Sequence, residues 1–473
     1  MTDIKKILDR NRKIVDIISD LKEKQVCVPK WEELVKEYDP KQHEIVTDTI
    51  TRKDKVRKDG IEKVARITYA MQRTSVKRMV QMAFSIPVSR EYAHDKKNEE
   101  LNRIAEAIEA VYQTARINDV NIARMKAFFA SCEIATFWYT VEAAHGEYGF
   151  DSRFKLRCMT FSPMEKTYSG IEQAALYPLM DANDMYAISY NYVRKEKDKE
   201  VEYFETWTDE LHIVWKNESG EWEEEKREPV AIGKIPGVYW WRPAPIWEDS
   251  TNNVKEIEYT QSRTSDIIRK NAAPIIKVVG KLKEDPNRAS DSPREVYEVE
   301  DGGDIGYVTW QQQDEVTKSH IRMLKEQISE ELQLPNLSIE NTKGLGVMSG
   351  EARKMLLVDG QLKVGEESGF IISGLIRECN VIKAFLEQLN VAWKEKTALV
   401  KVIHAINPFT WNDDGTNIDN AKRAYEGGFA SLPTAVEYAG IAKDVDKEVE
   451  AILAEQKLRQ EEAVLPFAGV SAV

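Results

Sequence analysis

Cysteine is scarce: Cys27, Cys132, Cys158 and Cys379 are the four, and no two lie close in sequence. That spacing argues against a disulfide framework and against a Cys-x-x-Cys metal site, and it fits a reducing compartment. The six histidines are equally dispersed, with no His-Glu-x-x-His. No run of about 18 apolar residues occurs, so no transmembrane helix is expected. The segment Met1-Thr-Asp-Ile-Lys-Lys-Ile-Leu-Asp-Arg10 reads as a charged amphipathic helix, without the apolar core or cleavage site of a signal peptide. Phosphate-loop and nucleophile-elbow patterns are absent. Gly344-Leu-Gly346, with Gly350 beyond, has neither spacing and follows a helix rather than a strand. Glu223-Glu-Glu225 and the pair Glu448 and Glu450 read as solvated faces. No catalytic residue, metal or cofactor is expected, and the chain is not read as an enzyme.

What is present is an ordinary globular composition, 42% hydrophobic and 31% charged. The length suits about three domains at the usual ~150 residues each. The net charge is −13 with a pI near 5.3. An acidic balance argues against a protein that grips nucleic acid through many phosphates. It leaves open a surface along which a polyanion slides. A helix of ~30 Å beside duplex DNA faces about 18 phosphates, and neutralising roughly 6–10 of them already gives tight binding. A wall built for passage therefore keeps basic contacts few.

Residues 1–60 are charged and read as mostly helical, and the run Thr51-Arg-Lys-Asp-Lys-Val-Arg-Lys-Asp-Gly60 as a solvated helix or linker. Over 61–86, apolar residues spaced three and four apart predict a core helix terminated by Pro87. A helical region over 97–130 precedes a β-rich stretch. Strands are predicted at 133–142, 154–161, 186–193, 202–208, 210–215 and 238–241, with a hairpin turn at Asn217-Glu-Ser-Gly220. His212 reads as a strand histidine. Residues 250–271 form a helix whose interior, Gln261-Ser-Arg-Thr-Ser-Asp266, is polar; such a helix lines water or packs against its own copies. The run Ile275-Ile-Lys-Val-Val279, a polar loop with Pro286 and Pro293, and a hairpin of 295–300 with 305–310 around Asp301-Gly-Gly-Asp304 follow. Then come a helix over 314–334, a glycine-punctuated loop at 338–349, and a long helix over 350–392. Gly360, Gly365, Gly369 and Gly374 in it predict a bend or close packing. A strand at 398–406 leads to helices at 417–427, 433–438 and 444–463.

Several motifs resemble those of the portal (connector) proteins of tailed bacteriophages, of the long-tailed siphophage type. They are Tyr38-Asp39-Pro40-Lys-Gln-His43, Lys234-Ile-Pro-Gly-Val-Tyr239, Leu334-Pro-Asn-Leu337 with Ser349-Gly-Glu-Ala352, Asn407-Pro-Phe-Thr-Trp-Asn-Asp413, Ser431-Leu-Pro-Thr434 and Asp446-Lys-Glu-Val-Glu450. Their order spans most of the chain. The final apolar decapeptide has no counterpart in the resemblance.

The resemblance implies an α+β portal fold that assembles as a ring, typically a dodecamer, at one capsid vertex. Residues 1–248 and 350–408 would be the wing, 249–271 and 314–337 the stem, and 272–313 the clip. Residues 338–349 would be the tunnel loop and 409–473 the crown with the C-terminal tail. Asn341, Thr342, Lys343, Gly344, Leu345, Gly346, Val347 and Met348 would face DNA. Lys318, Arg322 and Lys325 on the second stem helix would line the channel, or else pair with Glu315, Glu326 or a neighbouring subunit. Lys281, Lys283, Arg288 and Arg294 would serve docking at the clip. The implied partners are double-stranded DNA in transit, the large terminase subunit, a head-completion or adaptor protein, and the major capsid and scaffolding proteins. The implied location is the virion, after assembly in the host cytoplasm. The competing reading is a non-conducting capsid-associated adaptor.

Overall fold

The computed structural model describes residues 4–23, 26–57, 60–164, 171–181, 184–196, 199–218, 220–271, 275–280, 302–308, 314–335, 354–410, 414–442 and 444–463. The chain divides into two compact units, Met1–Leu334 with Gly360–Pro408, and Pro335–Asp359 with Phe409–Val473.

The first unit begins with α1 (Ile4–Ile7), α2 (Ile14–Leu21), α3 (Trp31–Tyr38) and α4 (Glu44–Thr47). The charged run at 51–60 is not a helix or a featureless linker. It enters a hairpin of β1 (Lys55–Arg57) and β2 (Gly60–Glu62), in which Val56 opposes Ile61. Gly60 has φ +139°, a conformation glycine adopts freely. The helix expected over 61–86 starts only at α5 (Met71–Phe84), and residues 63–70 have no helical or ladder structure. Strand β3 (Ser89–Ala93) follows. The helical region after it is two helices, α6 (Glu99–Thr114) and α7 (Ile117–Ser131). They break at Arg116, which is left-handed with φ 53°.

The β-rich stretch contributes nine strands: β4 (Glu133–Glu142), β5 (Phe154–Ser162), β6 (Ile171–Gln173), β7 (Ala175–Asp181), β8 (Asp184–Glu196), β9 (Lys199–Trp207), β10 (Leu211–Asn217), β11 (Trp222–Pro229) and β12 (Gly237–Trp241). They form two sheets, ordered β11-β10-β9-β8-β7 and β12-β4-β5-β6. The strands β6 and β7 go beyond the expected set. The turn between β10 and β11 is held by Asn217, whose Oδ1 accepts the Gly220 N–H at 2.8 Å. Strand alternation then builds layers. Ala187, Phe204, Ile213 and Trp215 face α1 and α2, packing on Ile7, Ile17, Ile18 and Leu21. Leu176, Ile188 and Tyr190 face the other sheet and pack on Ala135, Phe137, Phe161 and Tyr239. The even-numbered residues of β4 point the opposite way, toward α7: Thr136 lies 3.5 Å from the Arg124 guanidinium.

Helix α8 (Thr251–Asn271) carries the chain to β13 (Ile275–Val279), which pairs antiparallel with β14 (Asp304–Val308). The expected strand at 295–300 lies outside the described residues. Helix α9 (Asp314–Leu332) follows, and after it α10 (Val358–Leu389). The four glycines do not interrupt α10. Gly374 marks close packing: a Cβ there would sit 1.6 Å from Trp240 Nε1 on β12. Gly365 and Gly369 have no such neighbour. The last strand, β15 (Lys401–Ala405), pairs with β3.

In the second unit, α11 (Asp414–Glu426), α12 (Leu432–Ala439) and α13 (Val445–Ala463) match the three expected helices. Pro433 sits in the first turn of α12, and Gly440 caps its end with φ 72°.

Candidate functional site: the paired helices and their anchors

The polar interior of α8 has a specific use. Glu258, Ser262 and Asp266 stand four residues apart and so share one face. Each accepts a backbone N–H from the extended segment before α5. Tyr69 donates to Glu258 Oε1 at 2.6 Å, Ile67 to Ser262 Oγ at 2.8 Å, and Ala65 to Asp266 Oδ1 at 2.7 Å. The spacing works because four helical residues rise about 6 Å and two extended residues about 6.6 Å. Alternate amides of this strap thus meet successive turns of the helix, running antiparallel to it. Glu258 and Ser262 are buried within their own chain. The expectation that this helix lines water or packs on its copies therefore fails for this face.

His43 anchors the upper end of the ladder. Its Nδ1 lies 2.6 Å from Glu258 Oε1 and its Nε2 lies 2.7 Å from the Glu37 carbonyl. Both ring nitrogens of His43 are thus engaged, which fixes the ring between α3 and α8. Glu37 also accepts from Trp247 Nε1 at 3.0 Å, which ties α3 to the turn before α8. At the lower end, Arg52 bonds Asp266 and the Ala65 carbonyl. Asp54 accepts from the Val64 N–H and from Arg66, bonds that hold its carboxyl below the usual range. These bonds root the β1–β2 hairpin on the last turns of α8.

Helix α9 buries Leu324, Ile328 and Leu332 and returns beside α8. Asn253 donates to Glu331 at 2.8 Å, and His320 lies 3.7 Å from Glu256. Lys318, Arg322 and Lys325 occupy one exposed stripe of α9. The Lys325 ammonium sits 5.6 Å from the Tyr69 ring centroid, a cation–π contact with the strap. Among the described residues, no ion pair joins Arg322 or Lys325 to Glu315 or Glu326. These three are the candidate site residues that the structure brings together. The loop residues Asn341 to Met348, and Lys281, Lys283, Arg288 and Arg294, lie outside the described residues.

A second anchor went unread in the sequence. Arg124 on α7 and Glu378 on α10 are both 0% exposed and paired at 2.6 and 2.8 Å. Trp138 Nε1 on β4 donates to the same carboxylate at 3.0 Å. Burial works against the Arg124 charge, but Glu378 outweighs it and holds the pKa above its ordinary value. Arg124 among the apolar residues of the helical region at 97–130 was the available signal, since a buried charge requires a partner. Burial also pushes the Cys132 and Cys158 thiols up to about 12, so neither supplies a thiolate at neutral pH.

A family of known proteins shares this sequence pattern from near its start to near its end. The family model described as "Phage portal protein, SPP1 Gp6-like" matches residues 20–462. The chain belongs to this portal family. Membership gives it a portal or connector role in a phage particle, at the capsid, within a structural rather than a catalytic family. Its mixed helix and sheet content accords with that family. No curated protein matches the chain. Among solved structures it is similar to one described as "Neck of empty GTA particle computed with C6 symmetry", with 11% identity and a TM-score of 0.36, covering 78% of this chain and 89% of that one. No described helix is long and apolar enough to cross a membrane.

Proposed function

We propose that this portal-family chain assembles into a ring of about twelve copies around a channel through which double-stranded DNA is packaged and ejected. The family match over residues 20–462 carries this reading. In it, 1–248 and 350–408 form the wing, 249–271 and 314–337 the stem, 272–313 the clip, 338–349 the tunnel loop and 409–473 the crown and tail. The pairing of α8 with α9, with a short two-stranded sheet between them in sequence, supports a stem carrying a clip. The large terminase subunit docks at the clip during packaging, and a head-completion or adaptor protein takes its place afterwards.

The stripe of Lys318, Arg322 and Lys325 faces the channel. Three cations per copy meet the duplex at few points, as passage requires. The loop at 338–349 carries one cation, Lys343, and one anion, Glu340, and touches DNA without gripping it.

The test is assembly followed by packaging. The purified chain, of 54.3 kDa, should run as a particle of about twelve copies, with a central hole in electron-microscope class averages. A monomer under all conditions refutes the ring. Deleting 341–347 should leave the ring intact and impair packaging. Replacing Lys318, Arg322 and Lys325 together by alanine should alter packaging; unchanged packaging removes their channel role.

A further inference from the structure

The β1–β2 arm leaves its apolar pair uncovered. Val56 and Ile61 are cross-strand partners, so their side chains share one face, and they are 85% and 68% exposed. A hairpin of three residue pairs has little stability by itself in water. Its root is nevertheless fixed by Arg52, Asp54 and Arg66, so the arm is held out in one place. Exposed lysines flank it, Lys55 within β1 and Lys63 just after β2.

A complementary surface lies on α9. Val316 and Met323 are 71% and 49% exposed and seven residues apart, hence on one face. That face points away from the buried Leu324, Ile328 and Leu332. Exposed Glu315, Glu326 and Glu330 border it, against the lysines of the arm.

The two surfaces are also level along the helix pair. Tyr69 touches both Glu258 on α8 and Lys325 on α9. Because α9 runs back along α8, Asp266, where the arm is rooted, is level with the first turns of α9 near Val316. The strap and α9 hold different faces of α8: Glu258, Ser262 and Asp266 carry the strap, and Asn253 and Glu256 carry α9. The arm is therefore rooted on a face of α8 other than the one that holds Asn253 and Glu256. A rotation axis along the stem would carry each arm toward the next copy's α9, a heterologous contact that closes on itself.

We propose that the β1–β2 arm of one copy packs Val56 and Ile61 against the Val316–Met323 face of α9 in the neighbouring copy, with Lys55 and Lys63 beside the α9 glutamates. This rests on the ring reading and names the surfaces that make the ring. The test uses the full chain in a Cys27→Ser background. Ile61→Cys combined with Val316→Cys should give a ladder of covalent multimers on a non-reducing gel, and either cysteine alone should not. Val56→Glu with Ile61→Glu should lower the assembled fraction about tenfold or more, with unchanged circular dichroism of the remaining monomer. A ring that forms normally with these glutamates and gives no ladder overturns the arm contact while leaving the ring reading intact. A parent chain that never assembles overturns both. If the glutamate variant assembles normally but loses retention on duplex DNA, the arm is a nucleic-acid contact and the proposal fails.

Discussion

Glu258 offers the sharpest test of the strap. Its Oε1 receives two short bonds, from His43 and from the Tyr69 N–H. Glu258→Ala removes the carboxylate that faces Nδ1 of the buried His43, and losing such a hydrogen-bonding partner in the interior costs about 2 kcal/mol or more. The unpaired Tyr69 amide adds about 1 kcal/mol or more. Taking the low end, about 3 kcal/mol, local opening of the strap becomes roughly a hundredfold more frequent. Hydrogen exchange of the Tyr69 amide should accelerate by that factor. Ser262→Ala removes one neutral acceptor, worth about 1 kcal/mol, and should accelerate Ile67 roughly fivefold with little effect on Tyr69. Glu258→Gln keeps an acceptor oxygen and should fall between the two. An exchange rate at Tyr69 that changes less than threefold in Glu258→Ala would refute the ladder as the strap's anchor.

Other outcomes follow from the core. Glu378→Leu strands a buried guanidinium and should destabilise the chain by about 3–5 kcal/mol, whereas Arg124→Met with Glu378→Leu should recover most of that loss in denaturant melts. Gly374→Ala should destabilise by about 1–3 kcal/mol, because the new methyl collides with Trp240; Gly365→Ala, with open space, should gain up to about 1 kcal/mol in thermal melts. Burial, helped by Arg90, lowers the His404 pKa to about 4 from its usual 6.5. The folded ring is neutral where the unfolded ring is charged, so this residue's stability contribution is full above about pH 6.5 and is lost as pH falls toward 4. It is worth on the order of 2–3 kcal/mol. His404→Leu should flatten that part of the stability profile.

The strands were legible because their residues announce them locally. The run 133–142 is rich in β-branched and aromatic side chains, and Asn217-Glu-Ser-Gly220 sits where a turn must be. The three helices of the second unit carry their own caps and breaks, such as Pro433 and Gly440. The strap was misread because Ile61, Val64 and Ala65 satisfy a helical spacing, while the true period is the alternation Ala65, Ile67, Tyr69. Its partners lie about 200 residues away on α8, and no local rule brings them together. The same distance hid Glu378 from Arg124. The stripe Glu258-Ser262-Asp266 was visible as polarity, and its role as an acceptor ladder needed the strap beside it. At the candidate site, Lys318, Arg322 and Lys325 could be assigned to one helix from the sequence, and their i, i+4, i+7 spacing puts them on one side of it.

The ladder also sets an order of events during synthesis. The strap amides at 65, 67 and 69 are made 189 to 201 residues before the side chains that satisfy them. At 5–20 residues per second, the ribosome takes roughly 10–40 s to deliver α8. Until then the strap lacks its partners, and the arm it roots has no fixed place. Closing so long a loop is among the slower steps open to a chain. If the arm is the contact between copies, it becomes competent only after α8 has closed on the strap. Assembly is thereby timed to follow folding, and a nascent chain is kept from joining a ring before its stem exists.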